Sequence, residues 1–393
     1  MLTARGHAVA CFSPADERNP ASPWAAYFPT PADYTSGKLI TRICRFPRMV
    51  YSRQSKESLR RLLHDFQPDV VHVFAIHVRL TPSILDACSE AGIPVVMTCH
   101  DYKHICPNAL LFTGDGICEA CRNGYFYHAA LNRCLHDSLV YSVAGALEAY
   151  AHALLDIYRR NIRTFLCPSV FLGRKTEEFW GPESFRWRVL RNPFDAPAYA
   201  MQRGSRDYIL YIGRLSREKG VQVLIRAMAQ CPDVKLKIVG AGPYHHPLRA
   251  LCDTVGAENV EILGPRWGED KDALIGESRF VVVPSVWHEN SPYVVLEAFA
   301  AGKAVIGTQL GGIPEYVRDG EFGLISPAQD VSALAECINR LWRDPELALW
   351  MGANAKAWAD RHFNDSMFYE SLMAAYDEAL EPGSRTRVPQ QTK

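Results

Sequence analysis

The sequence predicts an α/β protein of two doubly wound domains, each a parallel sheet covered by helices on both faces. Its 393 residues exceed what one ordinary core fills, so two domains are expected. Short β-branched runs alternate with amphipathic helical patterns along most of the chain, which is typical of parallel sheets. A stretch rich in Pro and Gly at 193–206 predicts a linker between a first domain, 1–192, and a second, 207–363.

The predicted strands are short apolar runs that end in polar or Gly-rich turns. In the first domain they lie at 8–12, 70–74, 94–98 and 163–167. In the second domain they lie at 208–213, 234–239, 260–263, 280–284 and 304–308. Amphipathic helices are predicted between them, for example at 219–230, 270–278 and 331–343. A strand–helix unit needs roughly 25–30 residues, so we expect the first domain to lack its opening strand and loop.

Composition and charge narrow the function classes. Hydrophobic residues make up 48% and charged residues 22%, which is globular composition. Lys+Arg and Asp+Glu are both 43, so no overall field favours nucleic acid as a partner. No apolar run approaches the roughly 18 residues of a membrane span, and the first twelve residues contain no apolar region long enough for a secretory signal. We therefore expect a cytoplasmic protein whose twelve cysteines are mostly reduced.

Residues 38–61 depart from this balance, with eight basic residues against one acid, Glu57. The basic residues are Lys38, Arg42, Arg45, Arg48, Arg53, Lys56, Arg60 and Arg61. Interleaved apolar residues at 46–51 are compatible with a surface helix that contacts anionic lipid at the inner face of the membrane, or a lipid-diphosphate acceptor. A solvated helix face is the commoner origin of such a run.

Four strand-end loops of the second domain have the composition of an anion site. In the loop 213–220, Gly213 lets the backbone approach a ligand, Arg214 offers a bidentate fork to phosphate, and Lys219 adds a point charge. Taken alone, this loop would be interpreted as a solvated basic turn. Glycine-containing loops follow two further strands, at 239–243 and 310–315. Open α/β sheets bind ligands at this carboxyl edge.

The remaining loop, 285–292, leads into the apolar helix 293–300. Ser291 is a good N-cap and Pro292 suits the first helical position, so the helix start offers N–H groups to a phosphate. Glu297 lies among Val, Leu, Ala and Phe, where a carboxylate needs partners. A ribose diol and a buried ion pair explain it equally well.

The loop GRLSREKG, the E-x7-E pair of Glu289 and Glu297, and the run from PSVWHENSPYVVLEAF to GLISP resemble family 4 glycosyltransferases of the GT-B fold. The resemblance is close over 207–381 and looser before it. It implies that Arg214 and Lys219 bind the donor diphosphate, that Glu289 contacts the donor sugar, and that Glu297 holds the ribose. The other donor-binding residues that it implies are Gly213, Gly240, Gly242, Asn290, Ser291, Pro292, Tyr293 and Val294.

The resemblance also implies an activity. Such enzymes move a sugar from a UDP- or GDP-linked donor to a glycan or lipid-linked acceptor with retention of configuration, in cell-surface polysaccharide or glycoconjugate synthesis. Cationic side chains and a helix dipole stabilise the leaving diphosphate, so no cofactor is expected for catalysis. Direct front-face attack by the acceptor is our working hypothesis. The alternatives are a GT-B phosphorylase or epimerase, and a non-catalytic or truncated nucleotide-sugar-binding protein.

His100 is the catalytic candidate of the first domain. It follows the predicted strand 94–98, and related enzymes place a His there that contacts the donor sugar near its reacting carbon. A local cap formed by His100 and Asp101 is the simpler alternative. The final amphipathic helix, 364–381, is expected to return to the first domain, and 382–393 to form a flexible tail.

Four cysteines, spaced C-x11-C-x2-C-x12-C, fall in a predicted insertion at about 102–136. They are Cys106, Cys118, Cys121 and Cys134. A C-x2-C pair with two flanking cysteines favours a structural Zn²⁺ site that staples a segment without a core. Disulfides and unlinked thiols are the alternatives, and a catalytic metal is not expected because four cysteines leave no open position.

Overall fold

The computed structural model describes residues 1–31, 46–77, 79–114, 116–199 and 207–381. These fall into two compact units. The first unit contains 1–113, 118–190 and the chain from 369 onwards, and the second contains 114–117 and 191–368. The predicted tail, 382–393, the linker residues 200–206 and the basic residues Lys38, Arg42 and Arg45 lie outside the described residues.

The first unit contains a parallel sheet of four strands. The strands up to residue 190 are β1 Val71–Phe74, β2 Val95–Thr98, β3 Phe112–Thr113, β4 Gly116–Ile117, β5 Ile162–Cys167 and β6 Trp187–Val189. The sheet order is β1-β2-β5-β6, and β3 pairs only with β4. All four residues of β2 are buried, because helices cover both faces of a parallel sheet.

Three of the four strands predicted here are confirmed, and the strand predicted at 8–12 is wrong. No strand is assigned before β1 among the described residues. Val9 is 41% exposed, and none of the residues 8–12 is fully buried, so this segment lacks the covered faces of a parallel strand. The apolar run therefore had the composition of a strand without the second layer that would bury it.

Helices surround this sheet. They are α1 Arg53–Phe66, α2 Ser83–Glu90, α3 Tyr127–Leu131, α4 Leu139–Leu154 and α5 Val170–Trp180. Residues 46–50 are also helical, and 3₁₀ turns lie at Thr3–Arg5, Ala25–Tyr27 and Arg122–Gly124. Ser52 and Ser169 cap α1 and α5 by accepting from the backbone N–H of Ser55 and Leu172.

The second unit contains a parallel sheet of six strands. They are β7 Ile209–Ile212, β8 Leu236–Val239, β9 Val260–Gly264, β10 Phe280–Val283, β11 Ala304–Thr308 and β12 Gly323–Ser326. The order is β12-β11-β10-β7-β8-β9, so β10 and β7 lie at the centre. The five strands predicted here are confirmed, and the sixth, β12, was not predicted. Every residue of β10 and β11 is buried.

The helices that follow are α6 Val221–Met228, α7 His245–Val255, α8 Gly268–Glu277, α9 Tyr293–Ala300, α10 Val331–Arg343, α11 Pro345–His362 and α12 Asp365–Leu380. Two 3₁₀ turns, Arg217–Lys219 and Ile313–Glu315, follow β7 and β11. From Tyr369 onwards, α12 belongs to the first unit, where the Tyr376 hydroxyl lies 2.9 Å from His72 Nδ1.

Candidate functional site

The loops that follow β7, β8, β10 and β11 meet at the carboxyl edge of the second unit's sheet. Backbone hydrogen bonds join them in pairs. The Gly213 N–H donates to the Val239 carbonyl at 3.0 Å, and the Leu215 N–H donates to that of Ala241 at 2.9 Å. The Gly312 N–H donates to the Glu289 carbonyl at 2.6 Å. The loop conformations are therefore fixed by backbone contacts between neighbouring loops.

Glycines make these close contacts sterically compatible. A Cβ on Gly240 would lie 1.8 Å from the Gly213 carbonyl oxygen, and one on Gly242 would lie 2.2 Å from that of Leu215. A Cβ on Gly311 would lie 2.3 Å from the Glu289 carbonyl oxygen. Close approach of the backbone to a ligand was predicted for Gly213. At Gly240 and Gly242 the neighbouring loop leaves no room for a side chain, and their contact with the donor stays a prediction.

Lys219 and Glu289 come together from two of these loops. Lys219 Nζ lies 2.6 Å from Glu289 Oε1, and the same oxygen accepts from Ser285 Oγ at 2.7 Å. The Glu289 side chain is 8% exposed and that of Lys219 is 23% exposed. Trp287 lies beside the ammonium, 5.3 Å from its ring centroid. The arrangement places a cation next to a buried carboxylate, each within reach of a polar ligand at the sheet edge.

Arg214 also pairs with a carboxylate, but here the carboxylate is buried and the guanidinium side chain is open to solvent. Glu218 is 7% exposed and accepts from the Arg214 guanidinium and, at 2.6 Å, from Ser216 Oγ. Burial raises the pKa of the Glu218 carboxyl, but the hydrogen bonds from Ser216 and Arg214 outweigh it and the net pKa lies below the usual range. The Arg214 side chain itself is 58% exposed, so it can also contact a ligand.

Helix α9 has the predicted bounds, Tyr293–Ala300, but its N-cap residue is Pro292, which makes no side-chain capping bond. The Ser291 hydroxyl lies 2.7 Å from Tyr316 Oη, so the predicted capping role of Ser291 is wrong and Tyr316 competes for that oxygen. Tyr293 is 43% exposed. The first backbone N–H groups of α9 have no partner within the helix, which leaves a dipole end beside Ser291 and Asn290.

Glu297 has a protein partner. Lys271 Nζ of α8 lies 2.6 Å from Glu297 Oε1, and the two side chains are 22% and 16% exposed. An ion pair, one of the two explanations considered for this carboxylate, is therefore present. The pair is only partly buried, so a ribose hydroxyl is not sterically excluded from it.

Lys271 also lies within an Asp-x-Asp triplet, Asp270-Lys271-Asp272, which bears on the expectation that no metal assists the reaction. Two carboxylates in such a triplet can hold Mg²⁺ against a diphosphate. Here Asp272 accepts from the Tyr199 hydroxyl at 2.8 Å. Across the described residues, no group of three or more His, Cys, Asp and Glu side chains is placed to hold a metal ion.

In the first unit, His100 follows β2 at the carboxyl edge of the sheet. Its ring stacks on Phe74 with centroids 6.0 Å apart, and burial lowers the pKa of the imidazole, which favours the neutral form. Asp101 Oδ1 accepts from the Lys103 backbone N–H at 2.8 Å, as a local cap would. A cavity of about 690 Å³ opens nearby, lined in part by Phe74, Asp101 and Arg79.

The four cysteines of the predicted insertion line one small cavity of about 10 Å³. They are Cys106, Cys118, Cys121 and Cys134, and none of the four forms a disulfide. Burial raises the pKa of the Cys121 thiol to about 12, and the neighbouring cysteines add to the shift.

The predicted basic stretch is only partly described. Within it, Lys56 pairs with Glu90 at 2.5 Å and Arg60 with Glu57 at 2.8 Å, both on or beside α1. No helix in the part of the chain that the structure describes combines the length and apolar character needed to cross a bilayer.

The residues that bind and orient the predicted charged side chains were not predicted from the sequence. Ser285 orients Glu289, Glu218 holds Arg214, and Lys271 pairs with Glu297. Ser285 and Glu218 stand in the loops already singled out, four residues from Glu289 and Arg214 respectively. Lys271 lies on a surface helix, and no sequence signal links it to α9.

Two family models match the chain. The one described as Glycosyltransferase Family 4 matches residues 1–196, and the one described as Glycosyl transferases group 1 matches residues 201–358. Among curated relatives, a D-inositol 3-phosphate glycosyltransferase of Corynebacterium jeikeium is 34% identical over 44% of this chain and 44% of its own length. The D-rhamnosyltransferase WbpZ of Pseudomonas aeruginosa is 35% identical over 38% of this chain and 40% of its own. The chain therefore spans less than half the length of either relative.

Solved structures share the fold. Sucrose-phosphate synthase from Thermosynechococcus elongatus superimposes with a TM-score of 0.68 at 19% identity, covering 96% of this chain and 90% of its own. Anabaena Alr3699/HepE in complex with UDP gives a TM-score of 0.62 at 20% identity, with 82% of each chain covered. At these identities the likeness extends to the two-domain GT-B fold.

Proposed function

Because the chain belongs to the family 4 glycosyltransferases, we propose that it transfers a sugar from a nucleotide-sugar donor to a glycan or lipid-linked acceptor. The observation that carries the proposal is the Lys219–Glu289 pair at the carboxyl edge of the second unit's sheet. A nucleoside diphosphate needs cations and free N–H groups, and a sugar needs carboxylates that accept from its hydroxyls. This edge offers all three.

In the proposed mechanism the diphosphate leaves with its negative charge stabilised by Arg214, Lys219 and the N-terminal end of α9. Charge that develops on a leaving group is best stabilised by donors already in place, because no reorganisation is then needed. Lys219 is oriented by Glu289, and Arg214 by Glu218. Glu289 then accepts from a hydroxyl of the donor sugar.

Glu297 and Lys271 complete the donor site in this proposal. A ribose diol donates to Glu297, which Lys271 holds in place through an ion pair. The acceptor hydroxyl attacks the sugar on the same face from which the leaving group departs, which gives retention of configuration. The donor phosphate accepts the proton of the acceptor hydroxyl. His100, neutral because burial lowers its pKa, serves as a hydrogen-bonding group toward the sugar.

The first unit's sheet-edge cavity supports the proposed acceptor class. Phe74 offers an apolar face, and Arg18 and Arg79 both pair with Asp16 beside it. Such mixed polar and aromatic linings suit a sugar or a phosphate-linked sugar. The protein is proposed to act in the cytoplasm, with peripheral membrane contact where the acceptor is lipid-linked.

Thermal denaturation with UDP, GDP, UDP-glucose and GDP-mannose tests donor binding. A ligand at 100 times its dissociation constant stabilises by about 2.7 kcal/mol, so one of these nucleotides should raise the melting temperature. The Lys219→Met variant should lose most of that rise. Lys235→Met is the matched control, because Lys235 is an exposed residue of the same unit outside the site. Failure of all four nucleotides to bind would overturn the proposal.

Turnover separates an enzyme from a binding protein. We expect slow release of the sugar from the bound donor, abolished in Glu289→Gln, with the anomeric configuration of the freshly released sugar read by proton NMR. Retention should appear, and excess EDTA should leave the rate unchanged. A rate that depends on added Mg²⁺ would assign a role to Asp270 and Asp272, and binding without turnover would favour a non-catalytic donor-binding protein.

A further inference from the structure

The four cysteines between residues 106 and 134 are brought together by a segment with little regular structure of its own. This segment contains the two-residue strands β3 and β4 and the five-residue helix α3. Yet all four side chains line the same cavity of about 10 Å³. That volume corresponds to roughly one water-sized sphere. The fold thus brings four thiols around a space for one small species. The spacing of the cysteines in the sequence does not by itself require this arrangement.

Leu111 and Phe112 of this segment are buried, and a small hydrophobic cluster surrounds its later cysteines. The hydrophobic cluster here consists of Cys121, Phe126, Ala129 and Ala146, with Cys134 packed against it. A cluster of this size buries little apolar area compared with an ordinary core. A cross-link between cysteines or a bound metal ion would add a further constraint to the chain from Cys106 to Cys134.

We propose that Cys106, Cys118, Cys121 and Cys134 bind one structural Zn²⁺ as a tetrahedral set of four thiolates. Zn–S bonds of about 2.3 Å require the four sulfur atoms to converge on one point, and the cavity that the four residues line is the place where they can do so. As the side chains stand, they do not form a metal-binding group. Binding therefore requires the cysteine side chains to rotate toward the cavity. Each thiol releases its proton to solvent, and no electron is transferred.

Zn²⁺ is favoured over other occupants by the ligand set. Four sulfur ligands exclude Mg²⁺ and Ca²⁺, which prefer oxygen. A closed four-ligand site leaves no open position for substrate, so the role is structural. Two disulfides would bring the same residues together, but they require an oxidant, and each of the four cysteines is a free thiol here.

The first test uses the unmodified full-length protein, purified under reducing conditions without chelator. Elemental analysis should find one zinc for each chain. Stepwise addition of an organomercurial should release that zinc, detected with a chromogenic chelator, as the four thiols are titrated. Protein without zinc but with four freely reactive thiols would overturn the proposal. Disulfide-linked peptides found by mass spectrometry in this protein would overturn it as well, as would iron in place of zinc.

The second test compares variants. Cys121→Ser should lower the zinc content several-fold and make 106–134 sensitive to limited proteolysis. Cys252→Ser, a half-buried cysteine of the second unit, is the control and should keep full zinc content. If Cys121→Ser fails to fold, Co²⁺ substitution of the unmodified protein gives an independent readout, because a four-thiolate site has an intense visible spectrum. The zinc proposal does not rest on the proposed transferase activity, since nucleotide binding is measured separately.

Discussion

The two units hold their strand-end loops by different means. In the second unit, backbone N–H and carbonyl groups of neighbouring loops bond to each other, and glycines permit the contact. In the first unit, the rings of two buried histidines and of the partly buried His72 link strand and loop residues to neighbouring elements. His72 bonds to Tyr376 and Thr98, His77 to Tyr158, and His104 to Thr176. The difference predicts that acid and steric changes affect the two units unequally.

The largest expected effect is acid destabilisation of the first unit. Burial lowers the pKa of His72 to about 4 and those of His77 and His104 to about 3. An unfolded histidine has a pKa of about 6.5, so as pH falls below 6.5 the unfolded state takes up protons that the folded state does not. At pH 5 this costs about 2 kcal/mol for each histidine, or roughly 6 kcal/mol for the three.

Urea-dependent limited proteolysis at pH 7 and pH 5, with cleavage sites identified by mass spectrometry, measures each unit separately. The first unit should unfold at much lower urea at pH 5, and the second should change little. In the second unit the pKa of the Glu218 carboxyl is lowered, so the stabilisation from its charge is lost only at a pH below the usual pKa of a glutamate. His104→Gln should reduce the pH dependence by about a third. Equal acid sensitivity in both units would contradict the comparison.

The next effect is steric and concerns the second unit. Gly240→Ala places a Cβ 1.8 Å from the Gly213 carbonyl oxygen, at a φ of +154°. Backbone must move, so we expect a loss of about 3–4 kcal/mol in the free energy of unfolding of this unit, together with lost nucleotide binding. Urea denaturation gives the first quantity and thermal denaturation with UDP or GDP the second.

Gly256→Ala is the matched control for this substitution. Gly256 also has a positive φ, +67°, but a Cβ there meets nothing within 4 Å. The expected cost is therefore only the backbone strain, about 1 kcal/mol. If both variants lose the same stability, the loops are not held by close backbone contact.

The same difference explains what could be predicted from the sequence. The second unit's strands follow from local patterns, because each is a short apolar run that ends in a polar or glycine-containing turn. Lys219 and Glu289 were singled out separately, but the contact between them, across 70 residues of sequence, was not predicted. The first unit's links are not local, since His72 bonds to a tyrosine 304 residues away. For the same reason the partner of Glu297, Lys271, could not be predicted.

Other predictions were wrong where a local sequence pattern is compatible with more than one structure. The apolar residues 8–12 have strand composition, but no second layer buries them. Ser291 has the side chain of an N-cap, yet its hydroxyl lies against Tyr316, which is buried and needs a partner for its own hydroxyl. Strand β12 was missed because Gly323–Ser326 is short and begins with a glycine, whose Cβ would clash with Val305 of β11.

The smallest expected effect is the loss of a helix cap, which should lower the free energy of unfolding equally in both units. Ser52 caps α1 by accepting from Ser55 N–H at 3.1 Å, and Asp330 caps α10 by accepting from Ala333 N–H at 2.9 Å. Either residue changed to alanine should cost about 1 kcal/mol in its own unit. Ser138→Ala is the control, because Ser138 precedes α4 without a capping bond and should change stability by less than about 0.5 kcal/mol. Urea denaturation followed by proteolysis resolves the three variants. Equal losses for Ser52→Ala and Asp330→Ala would locate the difference between the units in their loops, because helix capping then contributes the same stability to both.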